Sequence, residues 1–236
     1  FILEDFKKAG IHTQYILTSE SEETGQAFIT VDEAGQNTIL VYGGANMTLS
    51  ATDVEMSADA FIGADFVVAQ LEVPFEAIEQ AFKIARKQNI TTVLNPAPAI
   101  ELPKSLLELT DIIIPNETEA ELLTGISINN ESDMKETATY FLELGISAVL
   151  ITLGEQGTYC AYQEQYKMIP ACNVKAIDTT AAGDTFIGAF LSELNKDLSN
   201  LESAIRLANQ ASSLTVQRKG AQASIPTRKE VESEYN

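Results

Sequence analysis

Basic residues are scarce in this sequence. Fifteen lysines and arginines stand against 34 aspartates and glutamates, a formal net charge of -19 over 236 residues. Such a surface repels phosphate backbones and anionic membrane surfaces, which argues against a nucleic-acid groove and a lipid-bound face. It leaves room for a nucleotide held by local N–H groups, a few cations and a metal. Cysteine is sparse too: Cys160 and Cys172 make no disulfide framework and show no metal-binding spacing, so both are expected reduced and structural. The single histidine, His12, gives little support to a serine hydrolase and is read as exposed. No apolar run approaches the length of a bilayer crossing and no charged-then-apolar leader is present, so a cytoplasmic protein is expected. The sequence opens on Phe1 rather than Met, and residues upstream of it are expected. Neither Gly-x-Gly-x-x-Gly after a strand nor Gly-x-x-x-x-Gly-Lys occurs, which disfavours a dehydrogenase and a P-loop enzyme. There is no internal repeat and no low-complexity tract.

What is present suits one large domain with an appendage. From about Asp65 onward, short apolar runs alternate with helical patterns, the order expected of a parallel α/β sheet. Asp65 to Leu71 reads as a buried strand, and Pro74 opens a helix whose Phe75, Ile78, Phe82 and Ala85 share a face. Thr91 to Leu94 and Asp111 to Ile114 read as strands, Glu117 to Leu123 as a helix closed by Gly125, and Ala148 to Thr152 as a strand. A hairpin follows at Thr158 to Ile169. Two helices then finish the fold, Ala182 to Leu194 and Leu201 to about Gln217, with Gly220 near the last C-cap. Earlier, Gln26 to Val31 and Asn37 to Tyr42 flank the turn-rich Asp32 to Gln36, a β-hairpin inserted before the main sheet. The division expected is an αβα domain over residues 1–13 and 47–236 and a hairpin over 14–46. That hairpin suits a lid over a ligand, or equally an ordinary sheet edge or a dimer contact.

The most informative stretch is Asp178-Thr-Thr-Ala-Ala-Gly-Asp184-Thr-Phe186. Phe186, Ile187, Phe190, Leu191 and Leu194 fall on one helical face, so a helix begins near Ala182 with its first N–H groups free. Free N–H groups and the positive dipole end attract phosphate, and small residues let it approach the backbone. Asp184 is placed to take a proton from an attacking hydroxyl, although an acid here also serves as a plain dipole complement. Ala181, Ala182 and Gly183 are the expected anion hole. Asn116 and Glu119 bring an amide and a carboxylate to one helix start, which suits water-mediated magnesium or, equally, a helix cap. Thr152-Leu153-Gly154-Glu155-Gln156-Gly157 ends on two glycines, so backbone can lie close to a flat ligand or form a tight turn.

This stretch resembles the C-terminal motif of ribokinase-type carbohydrate kinases of the PfkB family. Asn95-Pro-Ala-Pro-Ala99, Pro115-Asn-Glu-Thr-Glu-Ala-Glu121 and Arg218-Lys-Gly-Ala-Gln-Ala-Ser224 with Pro226 agree with it, in the family's order. The resemblance covers essentially the whole chain. It implies a three-layer αβα, Rossmann-like sheet with a small inserted β lid, and an ATP-dependent sugar kinase using Mg²⁺ and K⁺. It leans to D-ribose as substrate and to a homodimer joined through the lid. By the same resemblance Asp184 is the base and Gly183, Ala182 and Ala181 the anion hole. Asn116, the Thr152 to Gly157 stretch and Asn209 border the nucleotide, and Glu119 serves magnesium. Asp178 and Ser224, with main-chain carbonyls of Thr180, Thr215, Arg218 and Gly220, match a monovalent-cation site. Glu72, Ala27 and Ile29 match sugar-contacting positions. The family's opening part, a first strand with a sugar-holding Asp and a Gly-Gly motif, has no counterpart in these residues. Another sugar or nucleoside kinase of the family, or a non-catalytic nucleotide-binding fragment, remains an alternative.

Overall fold

The computed structural model describes residues 2–31 and 37–235. A short exposed helix, α1 (Ile2–Lys8), leads to β1 (Gln26–Val31) and β2 (Asn37–Tyr42), which pair antiparallel as a two-stranded sheet of their own. The strand bounds match the alternation of the sequence; the expected turn at Asp32 to Gln36 lies outside the described residues. A capped helix, α2 (Ala51–Met56), then precedes the main sheet.

That sheet has six strands in chain order: β3 (Phe66–Ala69), β4 (Thr91–Leu94), β5 (Ile112–Ile113), β6 (Ala148–Thr152), β7 (Thr158–Tyr162) and β8 (Gln165–Ile169). β3 to β6 run parallel, and β7 and β8 add antiparallel hairpin strands. Because parallel neighbours follow one another in sequence, right-handed crossovers put every connecting helix on one face. Those helices are α3 (Phe75–Lys87), α4 (Lys104–Glu108), α5 (Glu117–Thr124) and α6 (Glu131–Glu143). The opposite face is covered by α7 (Ala182–Glu193) and α8 (Leu201–Thr215). The strands read alternately to the two cores. Ile112, Ile114, Ala148 and Leu150 pack on Phe186 and Phe190 of α7, whereas Ile113, Val149 and Ile151 pack on Met134, Ala138 and Phe141 of α6. This is the three-layer αβα arrangement. No helix among the described residues is long and apolar enough to cross a membrane.

Two differences from the expected layout have physical causes. α6 has no counterpart in the periodicity reading because its buried stripe, Met134, Thr137, Ala138 and Phe141, mixes a hydroxyl and a methyl with two large groups. The chain also does not finish with two helices. A further helix, α9 (Arg228–Tyr235), packs on α8 through Val231, its one buried residue, so its sequence carries no apolar face to read. Gly220 is not at the α8 C-cap; that helix ends at Val216, and Gly220 lies beyond it at φ 101°. Gly125 does close α5, in the left-handed region at φ 74°.

Phe141 is fully buried between α6 and the sheet. Phe141→Ala removes a ring the surroundings cannot replace and lowers stability by about 3–5 kcal/mol, read as a shifted urea midpoint at unchanged slope.

Candidate active site

In open α/β sheets ligands collect beyond the carboxyl ends of the parallel strands. Here Glu72 follows β3, Asn95 follows β4, Asn116 follows β5 and Gly154 follows β6. A bridge between Asn116 and Thr152 extends β5 and β6 to that edge, and the Asn95 amide donates to the Ile114 carbonyl at 2.9 Å. A cleft of about 780 Å³ opens there, walled by the start of α5, the β6–β7 turn, the segment after β8, the start of α7 and one side of α8. A second basin, about 840 Å³, lies at the opposite edge beside Arg86, Asp111 and Lys196 and holds none of the motif residues.

The start of α7 has an uncommon backbone. Ala181, at the N-cap, sits at φ 60° and ψ 11°, the left-handed region that costs a side-chain-bearing residue about 1–2 kcal/mol. Its carbonyl accepts the Thr185 N–H at 2.9 Å. The Ala182 N–H, expected to be free for an anion, instead donates to the Thr179 carbonyl at 3.2 Å, closing the turn. Among the described residues the N–H groups of Ala181, Gly183 and Asp184 have no acceptor, so the free donors are these three. Asp184 lies exposed in the first helical turn, where a carboxylate complements the dipole.

Asp178 fixes the approach to this turn. One carboxylate oxygen accepts the Gly220 N–H and the other the Thr180 N–H, each at 3.0 Å. Those bonds, Gly220's first and Thr180's next, hold the carboxyl down to about 2. The Ile177 and Asp178 N–H groups donate to the Val216 carbonyl at 2.7 and 3.2 Å, so the segment before α7 is laced to the end of α8. The Thr215 carbonyl accepts the Arg218 N–H at 3.0 Å, while the Arg218 guanidinium turns away to Glu230 at 2.8 Å. Ser224 is fully buried and its hydroxyl donates to Ala221 at 2.7 Å. Asp178, Thr180, Thr215, Arg218 and Gly220 thus lie on two loops held together, with Ser224 in the next turn.

Asn116 and Glu119 form a reciprocal capping box at α5. Both Glu119 oxygens accept from Asn116, the main-chain N–H at 2.8 Å and the side-chain amide at 2.9 Å. The carboxylate is buried, and loss of solvent raises its pKa against the opposing pull of the Asn116 N–H. Glu119 stands behind the cleft wall; Asn116, Glu117 and Thr118 line it. Across the cleft Thr152, Gly154, Glu155, Gln156 and Gly157 form the β6–β7 turn, with Leu153 tucked into the core. Gly157, at φ 109°, lies so close to the Ile169–Ala171 backbone that a Cβ there would meet the Ile169 carbonyl oxygen at 2.2 Å. Asn209 lines the cleft but its amide is occupied: it donates to the Ile169 and Pro170 carbonyls at 3.0 and 3.2 Å and accepts from Thr158 at 2.9 Å.

Ala27, Glu72, Ala181 and Asp184 are not among the residues that wall the cleft. Glu72 is exposed beyond β3, Ala27 is exposed on β1, and Ile29 is described only by its backbone pairing with Ile39. The cleft also includes residues that sequence reasoning missed or set aside, among them Glu117, Thr118, Asn173, Ser212 and Ser213. The Asn173 segment lacks any periodicity to read, and the serines of α8 resemble ordinary small residues of a packed helix.

The family model for pfkB family carbohydrate kinases matches residues 1–228. The chain belongs to the pfkB family of carbohydrate kinases. A curated protein of Staphylococcus aureus (strain COL) named ribokinase is 64% identical over 231 residues, covering 98% of this chain and 76% of its own. The crystal structure of a ribokinase from Thermotoga maritima superposes with a TM-score of 0.85 at 35% identity, covering 98% of this chain and 75% of that one. An Arabidopsis thaliana ribokinase complexed with ribose and ATP gives a TM-score of 0.85 at 33% identity, covering 95% of this chain and 73% of that one. This pfkB-family chain therefore spans about three quarters of the length of such relatives.

Gly157→Ala forces apart the β6–β7 turn and the segment after β8, so nucleotide affinity falls at least about tenfold by calorimetry while the far-ultraviolet spectrum is kept. The Asp178 staple has a defined pH window. Its folded pKa lies below the ordinary value, so the staple is complete above pH about 4 and is lost as pH falls toward about 2. The Gly220 and Thr180 amide resonances should titrate with a midpoint near that lower value; a midpoint near pH 4 would mean the staple is absent in solution.

Proposed function

We propose that this pfkB-family chain carries the phosphoryl-transfer machinery of a ribokinase, transferring the terminal phosphoryl group of ATP to the 5-hydroxyl of D-ribose. The observation that carries the reading is the start of α7, where three unpaired main-chain N–H groups and the Asp184 carboxylate belong to one helical turn whose Ala182 and Gly183 line the cleft. The high identity to a ribokinase supports the choice of sugar.

The residues divide the work. Asp184 takes the proton of the sugar hydroxyl as that oxygen attacks the terminal phosphorus and the bond to the bridging oxygen breaks. The N–H groups of Ala181, Gly183 and Asp184 donate to the oxygens of the transferring group, where charge accumulates. The glycine turn at Gly154 to Gly157 and the α8 side of the cleft receive the nucleotide. Glu72, Ala27 and Ile29 serve the sugar.

A divalent cation fits the α5 side. Among the described residues no cluster of acidic, cysteine or histidine side chains could hold a metal by itself, whereas Asn116 and Glu117 offer oxygens on the cleft wall and Glu119 stands one layer behind. Magnesium suits such a sparse set because it keeps several waters and takes phosphate oxygens as ligands; it supplies charge neutralisation on the phosphates. Potassium fits the stapled loops, where an ionised carboxylate, main-chain carbonyls and a hydroxyl are a hard-cation donor set. Asp178, Thr180, Thr215, Arg218, Gly220 and Ser224 would hold it.

The hairpin presents apolar groups on both faces. Phe28 and Leu40, cross-strand partners, are 54% and 69% exposed, and Val41, paired with Ala27, is 53% exposed. One face is assigned to the sugar as a lid and the other to a second copy in a homodimer. Two free cysteines suit action in the reducing cytoplasm.

In the full-length protein Asp184→Asn should cut ribose-dependent ATP turnover by about 10²–10⁴-fold and leave nucleotide affinity within about threefold. Near-normal turnover in that variant would remove Asp184 from the role of base.

A further inference from the structure

One face of α8 bonds to three parts of the cleft wall: the end of the glycine turn, the segment after β8 and the first turn of α7. At Asn209 the helix clips the end of the glycine turn to the segment after β8, through Thr158, Ile169 and Pro170. One turn on, the Ser212 hydroxyl donates to the Ala182 carbonyl at 2.9 Å. A further turn on, the Thr215 hydroxyl donates to that of Thr185 at 3.0 Å, the residue next to Asp184. These positions are spaced by three residues and therefore lie on one side of the helix.

We propose that Ser212 is a positioning residue for phosphoryl transfer. It acts through Ala182 by holding the first turn of α7 so that the N–H groups of Gly183 and Asp184 stay aimed at the anion. The turn needs an external hold. Ala181 is in a conformation that a side-chain-bearing residue does not keep unaided, and the Ala182 N–H is only lightly tied to Thr179 at 3.2 Å. Ser212 supplies the hold at the same residue's carbonyl, from a helix that also carries Thr215 and Asn209. The Asn209 amide spends both of its N–H groups on main-chain carbonyls, so it too acts on the shape of the cleft and has no donor left for a base. The inference rests on the kinase reading above, and goes beyond it by assigning alignment of the anion hole to a residue outside the motif.

Ser212 is half-buried, which leaves room for a methyl group, so both Ser212→Ala and Ser212→Thr can be made in the full-length protein. Ser212→Ala is expected to lower kcat about tenfold with the nucleotide KM within about twofold, since small misplacements of aligned groups act on turnover. It should also speed amide exchange at Thr185, whose buried N–H donates to the Ala181 carbonyl in the same turn, at unchanged melting temperature, and Ser212→Thr should restore both readouts. A raised nucleotide KM at unchanged kcat would make Ser212 a direct nucleotide contact and overturn the proposal. Unchanged kcat and unchanged exchange would show the hydroxyl to be idle and overturn it as well. If the wild-type protein shows no ribose-dependent turnover the kinase reading fails separately, and amide exchange at Thr185 still decides the role of Ser212.

Discussion

The left-handed turn at Ala181 is the constraint on which the rest of this molecule depends. A helix start with three unpaired N–H groups is favourable only if something binds them, and a left-handed alanine is unfavourable unless the surroundings impose it. The surroundings here are built for that purpose. Asp178 ties the incoming segment to the loop after α8, Val216 receives two N–H groups from the same segment, and Ser212 and Thr215 hold the helix from its other side. The cost of the turn is met by contacts spread over two helices, and the product is a set of neutral donors fixed before any ligand arrives.

Neutral donors also resolve the apparent conflict between an acidic protein and a phosphate-bearing ligand. With a formal net charge of -19, a basic groove is out of reach, and the long-range field opposes an incoming polyanion. Main-chain N–H groups add no charge, point in one direction and are effective at short range. Two of the acidic side chains beside the cleft have their oxygens bonded. Glu119 is withdrawn behind Asn116 with both oxygens bonded, and Asp178 faces two N–H groups.

Much of this was legible in the sequence. The strand bounds of the hairpin, the helix from Phe75 with its buried face, the close of α5 at Gly125 and the start of α7 at Ala182 follow from alternation, helical spacing and glycine chemistry. What was not legible falls into two kinds. α6 and α9 have buried faces too weak to register, because Thr137 and Ala138 dilute one and Val231 alone makes the other. Ser212 and Ser213 look like filler on a packed helix, since a hydroxyl is informative only once its acceptor is known.

The sequence by itself determined the fold class, the family and the position of the turn proposed to bind phosphate. Each of these is written in local pattern: periodicity sets which face a helix or strand buries, and small residues beside an acid at a helix start form a recognisable anion site. Only the tertiary structure decided which donors are free and which residues hold them. Ala182 closes its own turn, Asn209 is spent on carbonyls, and Ser212 reaches the first turn of α7 from thirty positions away. Hydrogen bonds between segments distant in the chain depend on how layers pack, and no local pattern encodes them.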